Sequence, residues 1–184
     1  MVGRDFTFQH QAPKPSREDI VLSVSGLGRA GAFEDVSFDL ARGERLLILG
    51  LNGAGKTSLI RLITRITGPD EGVVLFRGEP LSPRHLIRMG YLPEERGLYK
   101  RMTVRRLLRY YGQLKGKTLK DVDPVINTWL ERFQLAAWAE KKVEALSKGM
   151  AQKTQFISAI VSTPRLLILD EPFSGLDPVN AEAL

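Results

Sequence analysis

Gly50-Leu51-Asn52-Gly53-Ala54-Gly55-Lys56-Thr57-Ser58 packs glycines, a lysine and hydroxyls into one short stretch. Glycines let a backbone curl until successive N–H groups point inward, where they bind anions. The spacing Gly50-x-x-x-x-Gly55-Lys56-Thr57 is the one at which such a loop cradles nucleotide phosphates. Lys56 then reaches the β- and γ-phosphates, and the Thr57 hydroxyl ligates Mg2+. Far downstream, the apolar run Leu166-Leu167-Ile168-Leu169 leads into Asp170 and Glu171. An acid at the end of a buried strand can hold Mg2+ through water. A second carboxylate beside it can take the proton of an attacking water. An acidic pair in an exposed turn is the plainer alternative, but the apolar run before it and the glycine loop upstream favour the catalytic reading.

These groups need a scaffold, and hydropathy patterning supplies one. Residues 20–27 and 36–40 alternate as strands. Residues 45–50 are apolar through the middle, which suits a buried parallel strand feeding the glycine loop. Leu59, Ile60, Leu62, Ile63 and Ile66 then follow a helical period. So the loop lies between a strand and a helix. Residues 73–81 read as a further strand and turn. A different region follows. Val104, Leu107, Leu108, Tyr111 and Leu114 predict a helix over 103–114, with Thr103 as its N-cap. Asp123-Pro124 predicts a helix start, with Val125, Ile126, Trp129, Leu130 and Phe133 on its apolar face. A third helix is expected from about Ser147 to Val161, before the chain returns to a buried strand at 166–172. Residues 1–19 are polar and weakly periodic, and read as a flexible tail.

Composition narrows the class. The chain has 184 residues, 43% of them hydrophobic, enough for one domain with a true core. It contains no cysteine, which excludes a disulfide scaffold and thiolate metal sites. Its apolar runs are too short to span a bilayer, and the N-terminus carries no apolar signal region. The net charge is +6, and a run of Lys and Arg extends from Arg84 to Lys120. Three readings fit that run: a solvated helix face, proximity to a membrane, or nucleic acid. The last is disfavoured because Tyr110 and Tyr111 sit on or near the packing face, not in a stacking array.

Leu146-Ser147-Lys148-Gly149-Met150, followed by residues 166–177, resembles the ABC-type ATPase family. The family signature is usually written LSGGQ; Leu146, Ser147 and Gly149 match it, while Lys148 and Met150 depart. Ser174-Gly175-Leu176-Asp177 resembles the family's D-loop. The resemblance covers residues 20–184. It implies an α/β fold: a P-loop NTPase (RecA-like) core with an antiparallel β subdomain and a helical subdomain inserted at about residues 97–162. It also implies ATP and Mg2+ as ligands, and a head-to-tail dimer of ATPase domains. In such a dimer Ser147, Lys148, Gly149 and Met150 face the partner's nucleotide, and Asp177 couples the two sites. Lys56 and Glu171 are the expected catalytic residues, and Thr57, Asp170 and Glu94 the expected metal-side residues. Glu94 stands where the family usually has a glutamine; it keeps an oxygen ligand, adds a charge and loses an amide donor.

Function follows from the same resemblance. The first expectation is the ATP-binding subunit of a transporter, hydrolysing ATP to work a separate transmembrane permease, in the cytoplasm on the inner face of the membrane. "YLPEERGLY" (91–99) is similar to a branch of bacterial subunits that includes sodium and drug exporters. The alternatives are a soluble ABC-type ATPase in DNA repair or translation, and a non-hydrolysing nucleotide-binding module. The aromatic ring that relatives stack on adenine has one candidate, Phe33, which better suits packing under the sheet. The family's switch histidine follows the D-loop on a further strand, whereas this chain has only His10 and His85. The expectation is a C-terminally incomplete domain that does not turn over ATP by itself.

Overall fold

The computed structural model describes residues 7–10, 19–51, 53–94 and 97–171, with the backbone alone for 7–10. The chain divides into two compact units, through Leu86 and from Ile87 onward.

The first unit holds two antiparallel sheets. β1 (Thr7–His10) pairs with β4 (Leu46–Leu49). β2 (Ile20–Arg29) lies between β3 (Phe33–Ala41) and β5 (Glu71–Phe76), and β6 (Glu79–Pro80) closes the other side. Alternate residues of β2, β3 and β5 are driven inward: Leu22, Val24, Val36, Val74 and Phe76 are buried. Gly72 is required where β5 meets β2. Its φ is +82°, and a Cβ there would stand 2.3 Å from the Gly26 carbonyl oxygen. α1 (Lys56–Ile63) packs Leu59, Ile60, Leu62 and Ile63 inward. It stops at Ile63, and Ile66, expected on the same face, is exposed. Arg65 takes a left-handed φ of 57° just past the helix, and its guanidinium donates to the Leu81 carbonyl. The unit's last element is the short α2 (Pro83–Leu86).

Thr7–His10 overturns the reading of residues 1–19 as a tail throughout. β4 offers a row of backbone donors and acceptors that a neighbouring strand must satisfy, and an alternating Thr-Phe-Gln-His segment can do so. β4 is also not buried on both faces. Leu47 and Leu49 are 48% and 41% exposed, because β1 is the single strand beside it among the described residues.

The second unit is built on β7 (Met89–Leu92), parallel to β8 (Leu166–Leu169) with Met89 opposite Leu166 and Leu92 opposite Leu169. Between them in sequence come α3 (Val104–Leu114), α4 (Leu119–Arg132) and α5 (Lys148–Ile160). Val104, Leu107, Leu108, Val122, Ile126, Leu130 and Ile157 form one core, each no more than 1% exposed. Trp129, Phe133 and Phe156 close it with mutually tilted rings 5.2–5.9 Å apart. Gly112 lets α3 and α4 meet, since a Cβ there would reach 2.4 Å from Val122 Cγ1. Thr103 caps α3 as the sequence predicts, accepting from the Arg106 N–H.

α4 corrects the sequence reading. It starts at Leu119, not at Asp123. Thr118 and Asp121 form a reciprocal capping box that satisfies two backbone donors, and Pro124 lies inside the helix. Asp123 serves another purpose: it accepts two hydrogen bonds from Arg109 of α3.

Candidate nucleotide site

β4 runs into the glycine loop, and the loop runs into α1. Its curl depends on left-handed residues: φ is +79° at Gly53 and +96° at Gly55. Only glycine takes such angles without strain. At Gly50 space is tight, since a Cβ there would come within 3.2 Å of the Ala54 Cβ. At Gly55 a Cβ would come within 3.1 Å of the Phe33 ring. Phe33 is itself buried, so it is a packing residue beneath the loop. Lys56 folds back over the loop, Nζ donating to the carbonyls of Gly50 (2.6 Å) and Leu51 (3.0 Å). Thr57 and Ser58 are half-buried at the start of α1, and Leu51 is exposed. Asn52 lies outside the described residues.

These features fit a polyphosphate. Unpaired N–H groups at the start of α1 carry partial positive charge. A lysine resting on neutral carbonyls can exchange them for charged oxygens, which bind an ammonium more strongly. Among the described residues no cluster of three or more His, Cys, Asp or Glu side chains could hold a metal by itself. Mg2+ bound through a hydroxyl, one carboxylate and phosphate oxygens needs no such cluster.

The second unit holds the acidic residues and the signature. Because β7 and β8 are parallel and in register to Leu92 and Leu169, Glu94 and Asp170 leave the same end of the pair. That carboxyl end is where α/β sheets place ligands. The Asp170 N–H donates to the Leu92 carbonyl (2.9 Å). Its side chain is buried, with the Tyr91 hydroxyl 3.5 Å from Oδ2. Glu171 is exposed with a left-handed φ of 47°, an angle costly for a non-glycine residue and often found at functional turns. Glu94 is exposed. Ser147 and Lys148 are exposed at the start of α5, with Gly149 and Met150 half-buried behind them. Ser147 caps that helix, its Oγ accepting from the Met150 N–H at 3.3 Å. Ser174, Gly175, Leu176 and Asp177 lie outside the described residues.

A family model described as ABC transporter matches residues 33–174. The chain belongs to the ABC transporter family. An ABC transporter ATP-binding protein of Alkalihalophilus pseudofirmus is 51% identical over 137 residues, covering 74% of this chain and 51% of that one. The ATP-binding protein YhaQ of Bacillus subtilis is 48% identical over 153 residues, 83% of this chain and 51% of its own. A Nod factor export ATP-binding protein I of Bradyrhizobium diazoefficiens is 34% identical over 163 residues, 87% of this chain and 53% of its own. This ABC chain thus spans about half the length of these relatives. A solved ATP-binding subunit of an ABC transporter superposes with a TM-score of 0.77 at 31% identity, over 89% of this chain and 71% of that one. The fold is accordingly that of P-loop NTPases, mixed α/β with an antiparallel sheet.

Sequence reasoning did not find two residues that lie beside the expected site residues of this ABC chain's second unit: Tyr91 beside Asp170, and Gln155 of α5, whose Nε2 donates to the Pro93 carbonyl at 3.0 Å. A signal for Gln155 existed. Gln152, Thr154 and Gln155 form a polar band at buried positions of a helix that is otherwise apolar inside.

Proposed function

We propose that this chain is the nucleotide-binding part of an ABC transporter's ATP-binding subunit, taking ATP with Mg2+ at Gly50–Ser58. The observation that carries the reading is the glycine loop: left-handed Gly53 and Gly55, with Lys56 held over the loop by neutral carbonyls. Backbone N–H groups of the loop bind phosphate oxygens, and Lys56 neutralises their charge. Thr57 and Asp170 are the residues that would hold Mg2+, with Glu94 as an oxygen ligand or water-sensing group. Mg2+ supplies charge neutralisation on the transferred phosphoryl group. Glu171 accepts a proton from the attacking water at its carboxylate. Lys56→Ala tests the assignment. ATP affinity measured by calorimetry should fall by roughly a hundredfold, the scale of a lost charged hydrogen-bond pair. Unchanged binding would remove the loop from the site.

Ser147 supports the second half of the reading. Its Oγ accepts from Met150, so its hydroxyl proton remains to be donated, and it stands exposed at a helix N-terminus that favours anions. We assign Ser147, Lys148, Gly149 and Met150 to the nucleotide of a second ABC ATPase domain in a head-to-tail dimer, with Ser174–Asp177 linking the two sites. A transmembrane permease is the further partner, which would hold the chain at the inner face of the membrane. Among the described residues no helix is long and apolar enough to cross a membrane. The exporter reading rests on residues 91–99 and on the relative named for Nod factor export. Nucleic acid is not expected: Arg105 is engaged by Glu140 and Asn127, and Arg109 by Asp123. Residues 1–184 alone are proposed not to sustain hydrolysis. Support comes from the open apolar faces of β4 and β8, where Leu47, Leu49, Leu167 and Leu169 are 37–48% exposed. Steady phosphate release from this chain would overturn that part.

A further inference from the structure

α5 carries Ser147 at its N-terminus and lies against β7. At Gly90 the approach is so close that a Cβ would stand 2.3 Å from the Ala159 carbonyl oxygen. One turn nearer the start of α5, Gln155 is 5% exposed, and its Nε2 donates to the Pro93 carbonyl at 3.0 Å. Proline has no N–H, so this carbonyl is the sole backbone group through which Pro93 can be tied. It belongs to the peptide that joins Pro93 to Glu94. Gly90 against Ala159 fixes the separation of helix and strand, and Gln155 against Pro93 fixes the chain where it leaves the strand.

We infer that Gln155 is a positioning residue: its amide holds the Pro93–Glu94 peptide to α5, so that Glu94 and the Ser147 end of the helix keep one fixed relation. The inference rests on the proposed roles of Glu94 and Ser147 at the nucleotide. Gln155 lies eight positions after Ser147 along the helix, about 12 Å at the α-helical rise. A helix that short transmits displacement as a rigid body. A contact made to Ser147 by a second copy is therefore felt at Glu94 through one hydrogen bond. The chemistry demands a donor at position 155. A glutamate has the same length, but its ionised oxygens only accept, and they would face an acceptor.

Hydrogen exchange on nucleotide-free protein tests the tether without reference to ATP. In Gln155→Met and Gln155→Glu, the amide of Asp170, which donates to the Leu92 carbonyl next to Pro93, should exchange roughly five- to tenfold faster, as expected when loss of one hydrogen bond loosens this end of β7. Amides of Leu107 and Ile126, in the helical core, should keep their protection. Unchanged exchange at Asp170, or an equal rise at all three positions, would overturn the tether. A second arm titrates Mg2+ at saturating ATP and follows turnover in the longer protein. In Gln155→Glu the Mg2+ half-saturation should rise several-fold with KM for ATP unchanged; equal Mg2+ curves would overturn the positioning role. Absence of ATP binding in the parent protein would instead strike the nucleotide reading, and the exchange result would still judge the tether.

Discussion

Between Gly50 and Lys56 the chain takes its shape from atoms it lacks: Gly53 and Gly55 adopt left-handed angles, and a Cβ at Gly50 or Gly55 would press on a neighbour at 3.2 or 3.1 Å. Between Val104 and Ile160 it takes its shape from atoms it has, with Leu107, Leu108, Val122 and Ile126 fully enclosed. The first region ends in backbone N–H groups and one lysine, the groups proposed to meet phosphate oxygens. The second ends in a solid core with Ser147 and Glu94, the groups proposed to act at the nucleotide, at its margins. A ligand cradle must leave backbone donors unsatisfied until the ligand arrives. A lever must not deform. The two regions should therefore fail under opposite substitutions, one by addition and the other by deletion.

Deletion in the lever should have the largest effect. Leu107→Ala removes a fully buried side chain from the middle of the helical core, and such cavities cost about 2–5 kcal/mol. Trp129 and Trp138 are the chain's two tryptophans, and both lie in this unit, so fluorescence-detected urea unfolding reads the loss directly. A midpoint unmoved by Leu107→Ala would mean that the core is not what holds the helices.

Addition in the cradle comes next. Gly55→Ala places a Cβ at φ +96° and 3.1 Å from the Phe33 ring, at a cost of about 1–3 kcal/mol in backbone strain. The cost should appear chiefly as weaker ATP binding in calorimetry, while the tryptophan transition moves less than in Leu107→Ala. The reverse order would dissolve the contrast between the two regions.

The same contrast explains what could be read from sequence. The glycine loop lies on contiguous residues, so its place between β4 and α1 was legible at once, as was the apolar strand before the acidic pair. β7 was not, because Met89-Gly90-Tyr91-Leu92 neither alternates nor runs long, and Gly90 matters only through its contact with Ala159. Gln155 was hidden for a related reason: its partner Pro93 is 62 residues away in sequence. The tail strand Thr7–His10 depends on an open edge of β4 that no local pattern reports. At α4 the sequence reading took Asp123-Pro124 as the start, whereas the helix begins after Thr118, whose reciprocal capping box with Asp121 satisfies two backbone donors.

That choice is itself testable and smaller in effect. Thr118 Oγ accepts from the Asp121 N–H, and Asp121 Oδ2 accepts from both the backbone and the hydroxyl of Thr118. Those bonds, the hydroxyl's first, hold the Asp121 carboxyl below the usual carboxylate range. Thr118→Ala should cost about 1 kcal/mol, the usual value of an N-cap, in the same tryptophan-detected transition. No loss would point back to Asp123 as the start of the helix.

The smallest effect belongs to the pair that joins α3 to α4 at their surface. Arg109 Nε and Nη2 donate to Asp123 Oδ1 and Oδ2 at 2.7 and 2.8 Å. This two-pronged geometry is the strongest form of an ion pair. Both side chains are nonetheless about a third exposed, and exposed pairs contribute at most about 1 kcal/mol. The hydrogen bonds from Arg109 hold the Asp123 carboxyl below the ordinary carboxylate range. A lowered carboxyl stabilises the folded state wherever the unfolded carboxyl would be ionised, above about pH 4. The contribution disappears as pH falls through the lowered value. Asp123→Asn should therefore be slightly less stable than the parent at pH 7, and the two urea midpoints should converge near pH 2. Arg109 stays charged throughout and adds no pH dependence of its own. If the gap instead widens in acid, the carboxyl is stabilised in its protonated form and the pair does not join the two helices as an ion pair.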